Sequence, residues 1–142
     1  MTTIGLNPVL DRCGEEFLIL DFNHLFFAAT LREEIWLLRR QNDPALLEGI
    51  LAAARALPIH GVAPDRDLAT YSGGEQAVLA CLLAIAVIRA NGARGVKVLL
   101  FNLMDSLSEQ SRSRLAVHFA NARADQGTRF FVNQGERIEA LP

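Results

Sequence analysis

Twelve consecutive residues, Ala77 to Ile88 (AVLACLLAIAVI), carry no charge. A helix built from them is apolar on nearly every face, so it needs protein on nearly every face. The run is too short for the roughly 20 residues that cross a bilayer, and the expectation is a buried helix at the centre of a layered fold. That helix is expected from about Gly74 to Ala90, with Asn91-Gly92 as its C-terminal stop. Its entry, Ser72-Gly73-Gly74, has two readings. Ser72 is a plausible N-cap, and glycines at a helix N-terminus also leave backbone N–H groups open to an anion.

A helix that must be surrounded requires enough chain to surround it. The 142 residues, 51% hydrophobic and 21% charged, suit one folded domain spanning 1–142. The net charge of −2, with one lysine (Lys97), does not advertise a strongly basic nucleic-acid surface and leaves room for a local arginine patch. Cys13 and Cys81 are far apart and form neither a disulfide framework nor a metal spacing, which points to the reducing cytoplasm. His24, His60 and His118 are equally scattered, so no metal site is expected. The opening residues, with Asp11, Arg12, Glu15 and Glu16, do not read as a secretory signal.

Along the chain, Phe17 to Phe22 (FLILDF) reads as a buried strand. Thr30-Leu-Arg-Glu33 has capping-box spacing ahead of a helix carrying Ile35, Trp36 and Leu38. Asp43-Pro44 starts a second helix with Leu46, Leu47, Ile50, Leu51, Ala54 and Leu57 at helical spacing, stopping near Pro58. A turn-rich connector, Ile59 to Tyr71, leads to the apolar helix. Val96 to Met104 (VKVLLFNLM) lacks alternation, as a central parallel strand does. Ser106-Leu-Ser-Glu109 is a further capping box, opening a helix that ends at Gly127; Thr128 to Val132 is a strand, and Arg137 to Glu139 another. Strands alternating with helices predict an α/β layered domain with a mostly parallel sheet and a helical insertion at about 23–71.

The order of these elements, together with Tyr71-Ser-Gly-Gly-Glu-Gln76, resembles the ABC-type ATPases, whose signature motif is Leu-Ser-Gly-Gly followed by Gln or Glu. Phe101-Asn-Leu-Met-Asp-Ser-Leu-Ser-Glu109 resembles the Walker B and D-loop segment of SMC-like members. His24 to Trp36 (HLFFAATLREEIW) resembles the segment after the Q-loop in transporter-type members, and Thr128 to Gln134 lies where the switch-histidine strand would be. The resemblance implies a P-loop-NTPase-like fold. It also implies a signature surface of Ser72, Gly73, Gly74 and Gln76, and a D-loop-like pair, Asp105 and Ser106.

The departures fall on catalytic positions. No glycine loop followed by Lys and Ser/Thr is present, since Lys97 precedes the Walker B-like strand and Gly5 and Gly14 flank no such motif. Asn102 and Leu103 stand where the metal-anchoring Asp and the water-polarising Glu would be, and Asn133 or Gln134 where the switch histidine would be. The resemblance therefore implies no catalytic residue, no metal, and no hydrolysis of ATP by the chain alone. It implies a non-catalytic interaction or regulatory protein whose signature meets ATP held by a P-loop-containing ABC- or SMC-like partner, or a self-dimer. The alternatives are a half-site subunit of a composite ATPase and a repurposed scaffold without nucleotide contact. Nucleic acid is expected only indirectly: Arg112, Arg114 and Arg123 read as a solvated helix face. Trp36, Phe26 and Phe27 read as core, and Cys81 as structural.

Overall fold

A computed structural model describes residues 16–57 and 59–142. Cys13, Gly5, Gly14 and the stop at Pro58 lie outside the described residues. Four strands form one open sheet in the order β1 (Leu18–Asp21), β2 (Lys97–Phe101), β3 (Arg129–Gln134), β4 (Arg137–Ala140). The first three are parallel, with Leu20 opposite Leu100 and Leu100 opposite Val132. The fourth turns back antiparallel through Gly135, whose φ of +61° suits a residue without Cβ.

Among the described residues, four α-helices fill the connections. α1 (Leu31–Arg39) and α2 (Pro44–Ala56) lie between β1 and α3 (Gly73–Ala90), and α4 (Glu109–Gln126) joins β2 to β3. Thr30 caps α1, its hydroxyl accepting the Glu33 N–H at 3.2 Å. Asp43 caps α2 by accepting from Leu46, with Pro44 in the first turn. Gly127 ends α4 at a φ of +68°.

α3 is buried from Ala77 to Ile85 and again at Ile88, against α2 on one side and α4 on the other. It is long and apolar enough to span a membrane by length and composition, yet it forms the centre of the helical layer. Cys81 is 0% exposed within it, and burial pushes its thiol pKa up to about 12, which leaves it unreactive.

Side chains alternate across the sheet. Val98, Leu100 and Phe130 join the helices in the main core, with Leu20 and Val132 packed against it. On the second face Leu99 and Phe101 are buried in a separate cluster with Phe17, Ile19, Phe131 and Ile138, and no described helix contributes to it.

Four expectations change. The strand read as buried over Phe17–Phe22 is the edge strand β1, with Leu18 45% exposed and Ile19 to Asp21 half-buried, because it has a neighbouring strand on one side only. The strand predicted over Val96–Met104 stops at Phe101, because Asn102 takes a φ of +54° and breaks the ladder. The helix predicted from Ser106 begins at Glu109, capped by Ser108, whose hydroxyl accepts the Ser111 N–H. Residues Met104–Ser106 form a single 3₁₀ turn instead. Finally, Phe27 is 84% and Trp36 46% exposed rather than core, while Phe26 is half-buried. Glu34 explains Phe27: its buried carboxylate accepts the Phe27 and Ala28 N–H groups at 2.7 and 2.8 Å, pinning the loop so that the ring points outward.

Candidate functional site

The carboxyl ends of the parallel strands and the start of α3 lie together, and this is where open α/β sheets bind ligands. Ser72 is exposed and closes a complete capping box. Its hydroxyl accepts the Glu75 N–H at 3.1 Å, and the Glu75 carboxylate accepts the Ser72 N–H at 3.0 Å. The N–H groups of Gly73 and Gly74 have no hydrogen-bond partner among the described residues. Both glycines are in the first helical turn without positive φ, so their lack of a side chain answers to space rather than torsion. A Cβ on Gly73 would sit 3.2 Å from the Phe22 ring, and one on Gly74 only 2.9 Å from the Ser106 carbonyl oxygen. Gln76 turns inward, its amide donating to the Tyr71 carbonyl at 3.0 Å.

Tyr71 is itself a fixed point. It is 3% exposed, its hydroxyl accepts the Ala63 N–H at 3.2 Å, and the Arg66 guanidinium lies 3.9 Å above its ring. Arg66 also donates to the carbonyls of His60, Gly61 and Thr70. The bidentate Arg32–Asp65 pair, at 2.8 and 3.1 Å, ties α1 to the same connector, and its hydrogen bond holds the exposed Asp65 carboxyl below its usual range. Composition alone marked this connector as loop. Its order comes from Arg66 reaching four to six residues away, a signal that no local motif carries.

Of the pair Asp105 and Ser106, the fold brings Ser106 against the Ser72–Gly74 turn, through the Gly74 contact; its hydroxyl donates to the Leu103 carbonyl at 2.5 Å. Asp105 is fully exposed and lies 3.9 Å from Arg112. Asn102 and Asn133 form a reciprocal pair: the Asn102 N–H donates to the Asn133 side-chain oxygen, and the Asn133 amide donates to the Asn102 side-chain oxygen, both at 2.8 Å. Leu103 is 0% exposed, its side chain in the core. A cleft of about 250 Å³ opens beside these residues, with Asp105, Arg112 and Gln134 on its walls.

Among the described residues, the donors at the end of β2 do not fit a Mg–ATP. Asn102 is neutral and already paired, Leu103 offers no base, and the only lysine, Lys97, begins β2 at the opposite end of the strand. What the site offers chemically is a helix N-terminus with two open N–H groups beside a hydroxyl. No family model matches the chain, and no curated protein matches it.

Proposed function

We propose that the chain is a degenerate ABC-ATPase-like protein of the P-loop-NTPase class, which interacts with or regulates rather than hydrolyses. Its signature turn, Ser72, Gly73 and Gly74, held from within by Gln76 through the Tyr71 carbonyl, meets the terminal phosphate of a nucleotide held by a partner's P-loop. The observation that carries this reading is the exposed, fully capped start of α3, with the Gly73 and Gly74 N–H groups open and the Ser106 turn packed against it. Support also comes from the parallel order β1-β2-β3, which puts that start at the carboxyl edge of the sheet. Neutral Asn102 and buried Leu103 favour a silent site over a catalytic one within these residues.

Gly73→Asp tests the reading. The carboxylate would stand where the phosphate is received, and like charges about 4 Å apart repel by roughly 1–4 kcal/mol at water-to-surface dielectrics. At a helix N-terminus the same charge is mildly favourable to the helix. Gly73→Ala isolates the steric contact with Phe22. With a P-loop ATPase recovered as a partner, Gly73→Asp is expected to abolish the effect on that partner's turnover while Gly73→Ala keeps it. Full stimulation by Gly73→Asp at an unchanged melting temperature would reduce the motif to a helix cap. A partner that has no turnover at all until this chain is added would favour the half-site subunit over the regulator.

A further inference from the structure

The sheet has two edges, and they are built differently. β4, at one edge, carries Arg137 and Glu139, charges of the kind that keep an edge strand from pairing. β1, at the other, is uncharged from Phe17 to Leu20 and meets its first charge at Asp21. The Phe22 N–H donates to the Phe101 carbonyl at 3.1 Å, and Asp21 lies opposite Phe101 in the register. Backbone groups alternate along a strand, so residues 18, 20 and 22 bond toward β2 while 17, 19 and 21 point away from it. The N–H and carbonyl of Ile19, and the N–H of Asp21, have no hydrogen-bond partner among the described residues. The Asp21 carbonyl already accepts the His24 N–H at 2.8 Å, which closes the edge at that end. On the helical side, the Phe27 ring is held outward through Glu34, beside a cleft that Leu18 and Leu20 line.

We propose that the β1 edge is the interface of a homodimer, with two β1 strands antiparallel about a two-fold axis through Ile19. Under that axis Ile19 exchanges both of its backbone bonds with Ile19 of the second copy. Each Asp21 N–H donates to the other copy's Phe17 carbonyl. An interface between two copies about a two-fold axis needs one patch that is complementary to itself. Leu18 faces Leu20 of the other copy, both on the helical side, and Ile19 faces Ile19 on the second face. Asp21 faces Phe17, so the one charge on the strand never meets its own counterpart. Each copy carries both a protruding ring, Phe27, and a cleft of about 190 Å³, more than the roughly 150 Å³ that admits benzene. A four-residue edge with its flanking side chains is smaller than the roughly 800 Å² per partner of a standard interface, so the dimer is weak. Antiparallel pairing points the carboxyl ends of the two strands in opposite directions. Because Phe22 at that end touches Gly73, the two α3 starts lie at opposite ends of the dimer, and dimerisation is independent of what those starts bind.

Sedimentation equilibrium of the whole chain is expected to show monomer and dimer in exchange, with a Kd of about 10–100 μM. Leu18→Lys puts a charge on the edge where the side chain is already half in solvent, and is expected to weaken dimerisation about tenfold or more. Glu139→Gln, on the β4 edge, is expected to change nothing. Cross-linking reads the register. In a Cys13→Ser background, with Cys81 fully buried, Ile19→Cys brings two thiols to positions whose Cα atoms are about 5.5 Å apart, within disulfide range. Oxidised glutathione is expected to convert that variant to a covalent dimer. Phe17→Cys is expected to stay unbridged, because the two positions are four residues apart along the paired strands, about 13 Å, beyond disulfide range. Thermal melts accompany each variant; should Ile19→Cys fail to fold, Leu18→Lys decides. Equal bridging by the two cysteine variants, or a Kd indifferent to Leu18→Lys, would overturn the proposal. So would a chain that stays monomeric at about 1 mM, which would leave the edge to a strand from elsewhere.

Discussion

Asn102 and Leu103 occupy adjacent positions with opposite demands. Asn102 is exposed in a left-handed conformation that asparagine tolerates, and both its bonds go to Asn133. Asn102→Asp keeps an oxygen to accept the Asn133 amide, so it is expected to change stability by less than about 1 kcal/mol. Leu103→Glu places a carboxylate in the core and removes a fully buried leucine. A loss of about 3–5 kcal/mol in urea unfolding is expected, and the double variant gains no ATP turnover. Turnover above background in that variant would mean that the chain grips triphosphate after all. His118, on α4, faces an apolar groove with Asp43 of α2 and Arg89 of α3. Burial first, and then the Arg89 charge, lowers its pKa below 6.5. The unfolded chain therefore binds the proton more readily, so stability is lost as pH falls through 6.5 and levels off below the depressed folded value. His118→Gln is expected to flatten the dependence of the urea midpoint on pH in that window. An unchanged slope would show that the titration belongs to another group.

At the scale of elements, local chemistry was legible where it is self-contained. The starts of α1, α2 and α3 and the stop after α3 follow from Thr30, Asp43, Ser72 and Asn91-Gly92, each acting within a few residues of itself. The ends that depended on distant partners were not legible. β2 stops at Phe101 because Asn102 is held by Asn133, 31 residues away, and Ser106 gives way to Ser108 as a cap because the Met104–Ser106 turn packs under Gly74. The candidate site is legible in the same measure: Ser72-Gly73-Gly74 is visible as a string, but its contact with Ser106 is not. That contact makes a prediction. Alanine in place of glycine favours a helix interior by up to about 1 kcal/mol, less in the first turn. At Gly74 the new methyl meets backbone at 2.9 Å, which must move, and Gly74→Ala is expected to destabilise by about 1–2 kcal/mol. At Gly73 the neighbour is the edge of the Phe22 ring at 3.2 Å, which has room to shift, and Gly73→Ala is expected to stay within about 1 kcal/mol of the natural chain. Chemical denaturation of the two variants side by side checks the difference; equal midpoints would mean that the Ser106 turn does not hold its position against α3.

For the whole molecule, the consequence of placing every described helix on one side of the sheet is an uneven surface. Parallel sheets are ordinarily covered on both faces. Here one edge is β1, and beside it Leu18, Phe27 and Leu38 remain 45%, 84% and 43% exposed around an apolar cleft of about 190 Å³. Leu38 had every reason to be read as core from its helical spacing beside Ile35, because periodicity shows which residues share a side but not whether anything covers it. An edge strand next to exposed apolar side chains favours contact between copies, so light scattering is expected to rise with protein concentration. Phe27→Ser with Leu38→Gln removes the protruding apolar atoms without touching the Glu34 carboxylate that fixes the loop through backbone N–H groups. Because Phe27 is mostly in solvent and Leu38 nearly half so, the pair of changes is expected to cost no more than about 1 kcal/mol, or a few degrees in Tm. The concentration dependence of scattering should fall at the same time. Scattering that persists unchanged in this variant would move the self-contact away from the β1 edge, and the second face of the sheet, with Phe17 and Phe131, would be the surface to alter next.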